Sequence, residues 1–134
     1  MYLQDRRMNK TNPKNTFVNQ KPLTTPVLFL IFNRPEITRR VFSAIREAQP
    51  PRLYVAADGP HLGNQEEEKR CKLVRSVVDE IDWRCEVKTL FRKENLGCRK
   101  AVSEAISWFF EHEPEGIILE DDCLPSQSFL WYCQ

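Results

Sequence analysis

The stretch VLFLIF, residues 27–32, is apolar at every position and rich in residues that favour β-strands. A strand with this continuous apolar pattern is buried on both faces, which is typical of a parallel sheet covered by helices. Pro35 follows closely and suits the first turn of a helix. Apolar residues then recur at helical spacing, at Ile37, Val41 and Ile45. The chain therefore begins its folded part with a β-α unit.

The same alternation of strand and helix continues along the chain. Residues 53–57, 86–91 and 117–119 read as three further strands, with the sequences LYVAA, EVKTLF and IIL. Val87 is expected to face inward in the third strand. Because β-α-β crossovers make strands parallel and place helices on both faces, the order predicts a three-layer α/β/α fold with a mostly parallel sheet.

The second helix carries clear start signals. Asn64 suits its N-cap, and three glutamates follow in the first turn, where the helix dipole favours acids. Its buried stripe is predicted to contain Cys71, Val74, Val78 and Ile81.

Composition indicates one soluble globular domain of 134 residues, with 41% hydrophobic and 29% charged residues. Residues 1–25 hold five basic side chains against one acid, show no periodicity and are predicted to be a disordered extension. These sparse charges favour a solvated tail over a nucleic-acid or lipid contact, so no nucleic-acid partner is expected.

No apolar run is long enough to span a bilayer, and residues 1–21 lack the apolar centre of a signal peptide, so a cytoplasmic location is expected.

The cysteines and histidines match no metal or redox motif. The five cysteines show no two-residue spacing and form an odd set, which favours reduced, partly buried thiols. His61 and His112 are far apart in sequence and are expected to be surface residues.

Polar residues follow each of the four predicted strands. In a parallel sheet, ligands bind at the carboxyl ends of the strands, so these residues are expected to converge. They are Asn33-Arg34, Asp58-Gly59, Asn95-Leu96-Gly97 and Glu120-Asp121-Asp122.

The acidic triplet 120–122 has two interpretations. Three crowded carboxylates repel one another, and a divalent cation would relieve the repulsion. Oxygen ligands suit Mg²⁺ or Mn²⁺, which bind substrate phosphates with few protein carboxylates. The alternative is a solvated acidic strand end without a metal.

The other loops have similar alternatives. Arg34 and Arg99 can neutralise phosphate charge or be ordinary surface cations. Asp58 can accept hydrogen bonds from a base or ribose, or can be a turn residue. Asn95, with the nearby Gly97, can hold an anion or cap the third helix. The sequence has no P-loop, dinucleotide-binding fingerprint or nucleophile elbow, so the corresponding ATPase, hydride-transfer and hydrolase classes are disfavoured.

Four of these motifs, in this order, resemble a known family. PVLFLIFNRP at residues 26–35, Ala57-Asp58-Gly59, Asn95-Leu96-Gly97 and Ile118-Leu119-Glu120-Asp121-Asp122 are similar to motifs of family 2-like glycosyltransferases with the GT-A fold. The resemblance covers residues 26–134. It implies the nucleotide-sugar-binding half of a GT-A domain, truncated after the acidic metal motif, because the chain ends 12 residues after Asp122.

The resemblance also implies roles for individual residues. Asp122 and Glu120 would hold Mn²⁺ or Mg²⁺, and Asp121 would support the metal and contact the ribose. Asp58 would read the base, while Phe32 and Asn33 would line the nucleotide pocket. Arg34 would lie near the base or phosphates. Asn95 and Arg99 are also predicted to bind the nucleotide-sugar. No catalytic base can be assigned.

The implied activity is transfer of a sugar from a nucleoside diphosphate sugar, a UDP-sugar being favoured, to the hydroxyl of an acceptor such as a glycan. One alternative is a non-catalytic module of the same fold that binds a nucleotide or a protein partner. Another is a metal-dependent phosphohydrolase with its acids at a strand end. The apolar group Phe129-Leu130-Trp131-Tyr132 is expected to mediate homodimerisation through this end of the chain.

Overall fold

The computed structural model describes residues 22–134. In chain order its elements are β1 (Val27–Ile31), α1 (Pro35–Ala48), β2 (Arg52–Ala57), α2 (Gln65–Arg75), a short 3-10 helix (Ser76–Glu80), β3 (Glu86–Phe91), α3 (Cys98–His112), β4 (Ile117–Glu120) and α4 (Gln127–Tyr132). None of these helices combines the length and the hydropathy needed to cross a membrane.

The four strands form one sheet in the order β3-β2-β1-β4, and every neighbouring pair is parallel. The predicted α/β class and parallel sheet are confirmed. β1 is central, with Phe29 opposite Val55 of β2 and Leu119 of β4. The loop after β1 therefore lies between the loops that follow β2 and β4.

Alternate residues of β1 pack into two separate cores. Val27, Phe29 and Ile31 join the larger core, which also receives side chains from α1, α2 and α4. Leu28 and Leu30 point to the opposite face, where α3 covers the sheet. This division explains why VLFLIF is apolar at every position, since both faces of the strand are buried.

Two details of the helices differ from the sequence prediction. In α1, Ile37 is exposed, while Phe42 is buried. The second helix ends at Arg75 and tightens into the 3-10 helix, so Val77 rather than Val78 is fully buried. A 3-10 helix has three residues per turn, which moves the buried stripe away from the α-helical spacing.

Val87 was also placed wrongly by the pattern. It lies on β3, which is an edge strand, and its side chain is exposed. The sequence EVKTLF gave no sign that helices would cover only part of this strand.

The folded region begins before the predicted boundary at residue 26. Leu23 is buried in the larger core, and its N–H donates to the carbonyl of Ala48 over 2.9 Å. Residues 22–25 thus belong to the folded part, and the rest of the predicted extension lies outside the described residues.

The C-terminal helix α4 is amphipathic. Leu130 is fully buried in the larger core, whereas Phe129 and Tyr132 remain exposed. These exposed aromatic side chains agree with the expected apolar surface at this end, and the homodimer itself stays a prediction.

A buried polar cluster joins α3 to the sheet at the end opposite the predicted site. Glu113 accepts hydrogen bonds from Arg52 Nε over 2.6 Å and from the Tyr54 hydroxyl over 2.8 Å. Burial, together with the hydrogen bond to Glu113, raises the pKa of Tyr54 to about 12. Burial alone would raise the pKa of Glu113, but the hydrogen bonds from Arg52 and Tyr54 outweigh it and leave this pKa below its ordinary value.

The Glu113 cluster predicts acid sensitivity. Because the folded-state pKa of Glu113 lies below its ordinary value of 4.5, its contribution to stability is present above that pH and is lost as pH falls through the folded-state pKa. Wild type should therefore exceed Glu113→Gln in free energy of unfolding at about pH 7, and the difference should shrink towards about pH 3. Urea unfolding across this range measures the difference, and a constant value would contradict the assignment.

Candidate functional site

A cavity of about 430 Å³ opens where the predicted loops meet. Its walls come from the ends of the strands and from the first turns of α3, and they are mainly apolar. The apolar lining side chains include Leu30, Ala56, Leu90, Ala101, Val102 and Ala105. Because alanines occupy facing positions on β2 and α3, the helix leaves space above this end of the sheet.

Polar side chains from all four loops surround the cavity. The lining polar and charged residues include Arg34, Asp58, His61, Arg92, Asn95, Glu120 and Asp121. Their positions follow from the parallel order, because the carboxyl ends of β1, β2, β3 and β4 lie along the same edge. The structure thus brings together residues from all four predicted loops, namely Arg34, Asp58, Asn95, Glu120 and Asp121, whereas His61 and Arg92 were not in the predicted set.

Asp58 holds two loops together. Its Oδ1 accepts from the N–H groups of Gly59 and Leu96, both over 2.8 Å. Its Oδ2 accepts from the N–H of Gly97 over 3.1 Å and from Asn95 Nδ2 over 3.2 Å. These four donors fill the usual acceptor positions of a carboxylate. The structure therefore gives Asp58 a role in fixing the 95–97 turn, and no acceptor is left for the predicted contact with a base.

The same two loops also meet through their backbones. Gly59 is buried against Glu94, so closely that a Cβ on Gly59 would lie 2.4 Å from the Glu94 carbonyl carbon. Asn95 Nδ2 adds a hydrogen bond to the Gly59 carbonyl over 2.9 Å. Only glycine allows this approach, which sets the distance between the loops that border the cavity.

Arg34 and Asp121 form an ion pair across the site. The Arg34 guanidinium donates to both carboxylate oxygens of Asp121, and its Nη2 lies 3.6 Å from Asp122. Burial raises the pKa of Asp121, while the guanidinium opposes this shift; the hydrogen bond to Asp121 raises the pKa of Arg34. Arg34 thus relieves part of the repulsion within the acidic triplet, a contribution that neither interpretation of the sequence included.

The carboxylates of Glu120 and Asp122 lie together on the surface. One oxygen from each, with the Cys123 thiol, falls within a span of 4.8 Å. Asp121 is separate from this group because its side chain turns inward towards Arg34. Two exposed carboxylates fit a Mg²⁺ or Mn²⁺ ion that completes its shell with water and phosphate oxygens, whereas the thiol is a softer ligand that suits these ions poorly.

We compared the chain with protein-family models, with curated proteins and with solved structures, and none of them matches it.

The predicted site residues do not all reach the cavity. Those that line it are Phe32, Arg34, Asp58, Asn95, Glu120 and Asp121. Asn33 instead donates to Glu67 over 3.0 Å, and Asp122 lies outside the lining next to Glu120. Arg99 is exposed and borders a second surface cavity beside the first turn of α3, so it does not line this cavity, and its contact with a nucleotide stays a prediction.

Two residues were missed by sequence reasoning. His61 lines the cavity, and the buried carboxylate of Glu67 contacts the His61 ring. Helical spacing contained a signal for Glu67, since it lies four residues before Cys71 and seven before Val74, on the stripe predicted to be buried. An acid on such a stripe requires hydrogen-bond partners, and the loops supply them.

Proposed function

We propose that the chain is the donor-binding part of a GT-A-type glycosyltransferase, which transfers a sugar from a nucleoside diphosphate sugar to an acceptor hydroxyl. The single observation that carries the proposal is the meeting of an apolar cavity with the Glu120-Asp121-Asp122 motif at the carboxyl edge of a parallel sheet. The order of the four motifs along the sequence gives separate support.

The cavity suits a flat heterocycle with a charged tail. Its volume falls in the range of small-molecule sites, which combine apolar walls with a few polar groups. We assign the apolar walls formed by Leu30, Ala56 and Val102 to the base. Phe32 and Asn95 lie at the polar rim and orient the sugar, and a UDP-sugar is the favoured donor.

The metal assignment rests on the exposed carboxylates of Glu120 and Asp122, which would hold Mn²⁺ or Mg²⁺. When bound, the ion would act as a Lewis acid and neutralise charge on the departing diphosphate. Asp121 would not be a ligand, since its side chain is buried and turned towards Arg34, away from the exposed oxygens of Glu120 and Asp122. Its role would be to fix Arg34 beside the acidic loop, where the guanidinium adds positive charge near the phosphates.

Calorimetric titration with UDP and with GDP, with and without Mn²⁺, tests the proposal. UDP should bind more tightly when Mn²⁺ is present, by about tenfold or more, because a bridging cation offsets the charge of the diphosphate. Asp122→Asn should lose this gain. The matched control is Asp79→Asn, because Asp79 is an exposed acid on the 3-10 helix that does not line the cavity.

Two results would contradict the proposal in different ways. If neither nucleotide binds in the presence of Mn²⁺, the donor-site assignment is wrong. If UDP binds and Asp122→Asn retains the full Mn²⁺ effect, the metal assignment alone is wrong.

A non-catalytic module of the same fold is the second candidate. Two carboxylates in the cavity favour it, because Asp58 and Asp121 already accept hydrogen bonds from donors within the protein. Neither is available to deprotonate an acceptor hydroxyl. A binding module would bind UDP with Mn²⁺ but would not release the sugar from a UDP-sugar, either to water or to an acceptor, and product analysis after incubation distinguishes the two.

A further inference from the structure

The loop after β2 brings a histidine and a buried acid into contact at the edge of the cavity. Glu67 of α2 is only 6% exposed, and its Oε1 lies 2.6 Å from His61 Nδ1. The same oxygen accepts from the His61 backbone N–H over 2.7 Å. Asn33, from the loop after β1, donates to the other oxygen over 3.0 Å.

These contacts keep Glu67 ionised. The hydrogen bonds from the His61 backbone and ring, with that from Asn33, lower the pKa of Glu67 against the opposing effect of burial. An ionised carboxylate accepts hydrogen bonds and cannot donate them, so His61 Nδ1 must carry a proton. The tautomer of the neutral ring is therefore fixed, with the lone pair on Nε2.

The ring itself remains accessible. The side chain of His61 is 63% exposed, it lines the cavity, and its ring packs edge-on against Phe32 at 6.3 Å between centroids. Within residues 22–134, Nε2 forms no hydrogen bond. The ring is thus held at one nitrogen and presents the other to a ligand.

Most of the other charged groups that line the cavity already have a protein partner. Arg34 is bound by Asp121, and Arg92 donates to Glu104 over 2.8 Å. The four acceptor positions of Asp58 are filled, and Glu120, exposed beside Asp122, is an acid that repels a diphosphate. Among the described residues that line the cavity, His61 therefore presents a ring nitrogen, Nε2, that has no hydrogen-bond partner within residues 22–134.

We propose that His61 contacts the diphosphate of the bound ligand through Nε2, and that Glu67 is the residue that positions the ring and stabilises its protonated form. The inference rests on the proposed function, because it takes the ligand of this cavity to contain a diphosphate. Nε2 takes up a proton from solvent on binding and donates it to a phosphate oxygen in a charge-assisted hydrogen bond. Glu67 stabilises the resulting imidazolium through Nδ1.

The test is a histidine side-chain NMR titration of the protein with inorganic pyrophosphate and, separately, with UDP. The chain has two histidines, and His112 lies at the far end of α3, so it serves as an internal control. In the free protein the nitrogen shifts of His61 should report a proton on Nδ1. Either ligand should move His61 Nε2 towards the protonated value and leave His112 unchanged.

Two variants distinguish the contact of His61 with the ligand from the positioning of its ring by Glu67. His61→Gln should bind pyrophosphate about tenfold more weakly, the usual loss for a hydrogen bond to a charged group. Glu67→Gln keeps the size of the side chain but removes its charge, and it should lose most of the Nε2 response. If Glu67→Gln gives the full response, the positioning role is wrong.

The outcomes also separate this inference from the proposed function. UDP binding that leaves His61 unchanged overturns the inference and leaves the donor site standing. Pyrophosphate binding that protonates His61 without any nucleotide binding supports the inference and overturns the donor site. If neither ligand produces a response, both are overturned.

Discussion

Phe109→Ala is expected to lower the free energy of unfolding by about 3–5 kcal/mol, the usual cost of removing a large aromatic ring from a core. Phe109 is fully buried on α3, in the smaller core with Leu28 and Tyr54. Its ring packs edge-on against Tyr54 with centroids 4.9 Å apart. Since α3 alone covers this face of the sheet among the described elements, the loss should loosen the wall of the cavity as well.

Phe110→Ala is the matched control for this prediction. Phe110 is the next residue of the same helix, but its side chain is 47% exposed. Truncation to alanine there should lower the free energy of unfolding by about 1 kcal/mol or less, because little buried apolar surface is removed. Urea unfolding of both variants measures the contrast, and equal losses would show that α3 does not pack on the sheet in the way described.

Gly59→Ala is expected to lower the free energy of unfolding by about 3 kcal/mol and to abolish ligand binding in the cavity. The added methyl group would meet the backbone of Glu94 at 2.4 Å, and a backbone cannot rotate away as a side chain can. The two loops must separate, which breaks the hydrogen bonds that the backbone N–H groups of Leu96 and Gly97 donate to Asp58. The cavity rim would then lose its shape.

Gly63→Ala provides the comparison. Gly63 has φ of +80°, but nothing lies within 4 Å of an added Cβ. Alanine at this position should lower the free energy of unfolding by about 1–2 kcal/mol through backbone strain alone, and it should leave UDP binding intact. UDP titration at a temperature where all three proteins are folded separates the steric effect from general destabilisation. If Gly59→Ala binds UDP as well as Gly63→Ala does, the described loop contact does not shape the site.

Local patterns predicted the framework because their causes are local. The run VLFLIF identified a doubly buried strand, and Asn64 does cap α2 through a hydrogen bond to the Glu67 N–H over 3.0 Å. The parallel order then placed polar loops at one edge. These inferences needed only hydrophobic period, capping chemistry and the handedness of crossovers.

What sequence reasoning missed involves contacts between distant parts of the chain. The sequence leaves Asp58 as either a base-binding acid or a turn residue, and it gives no sign that the 95–97 turn, almost 40 positions away, fills the Asp58 oxygens. Arg34 pairs with Asp121 across 87 positions, and no local pattern reports such a pairing. His61 is exposed, as expected of a surface histidine, but its position on the cavity depends on how the loop after β2 folds, which no local pattern predicts.

The central claim is that the cavity at the carboxyl ends of the strands binds a nucleoside diphosphate. Backbone amide shifts in an NMR titration with UDP and Mg²⁺ test it most directly. The claim predicts that the amides of Phe32, Gly97 and Asp121 shift together and fit one dissociation constant, while those of Arg52 and Glu113 at the opposite edge stay unchanged. An absence of shifts, or shifts confined to the Arg52 and Glu113 edge, would contradict it.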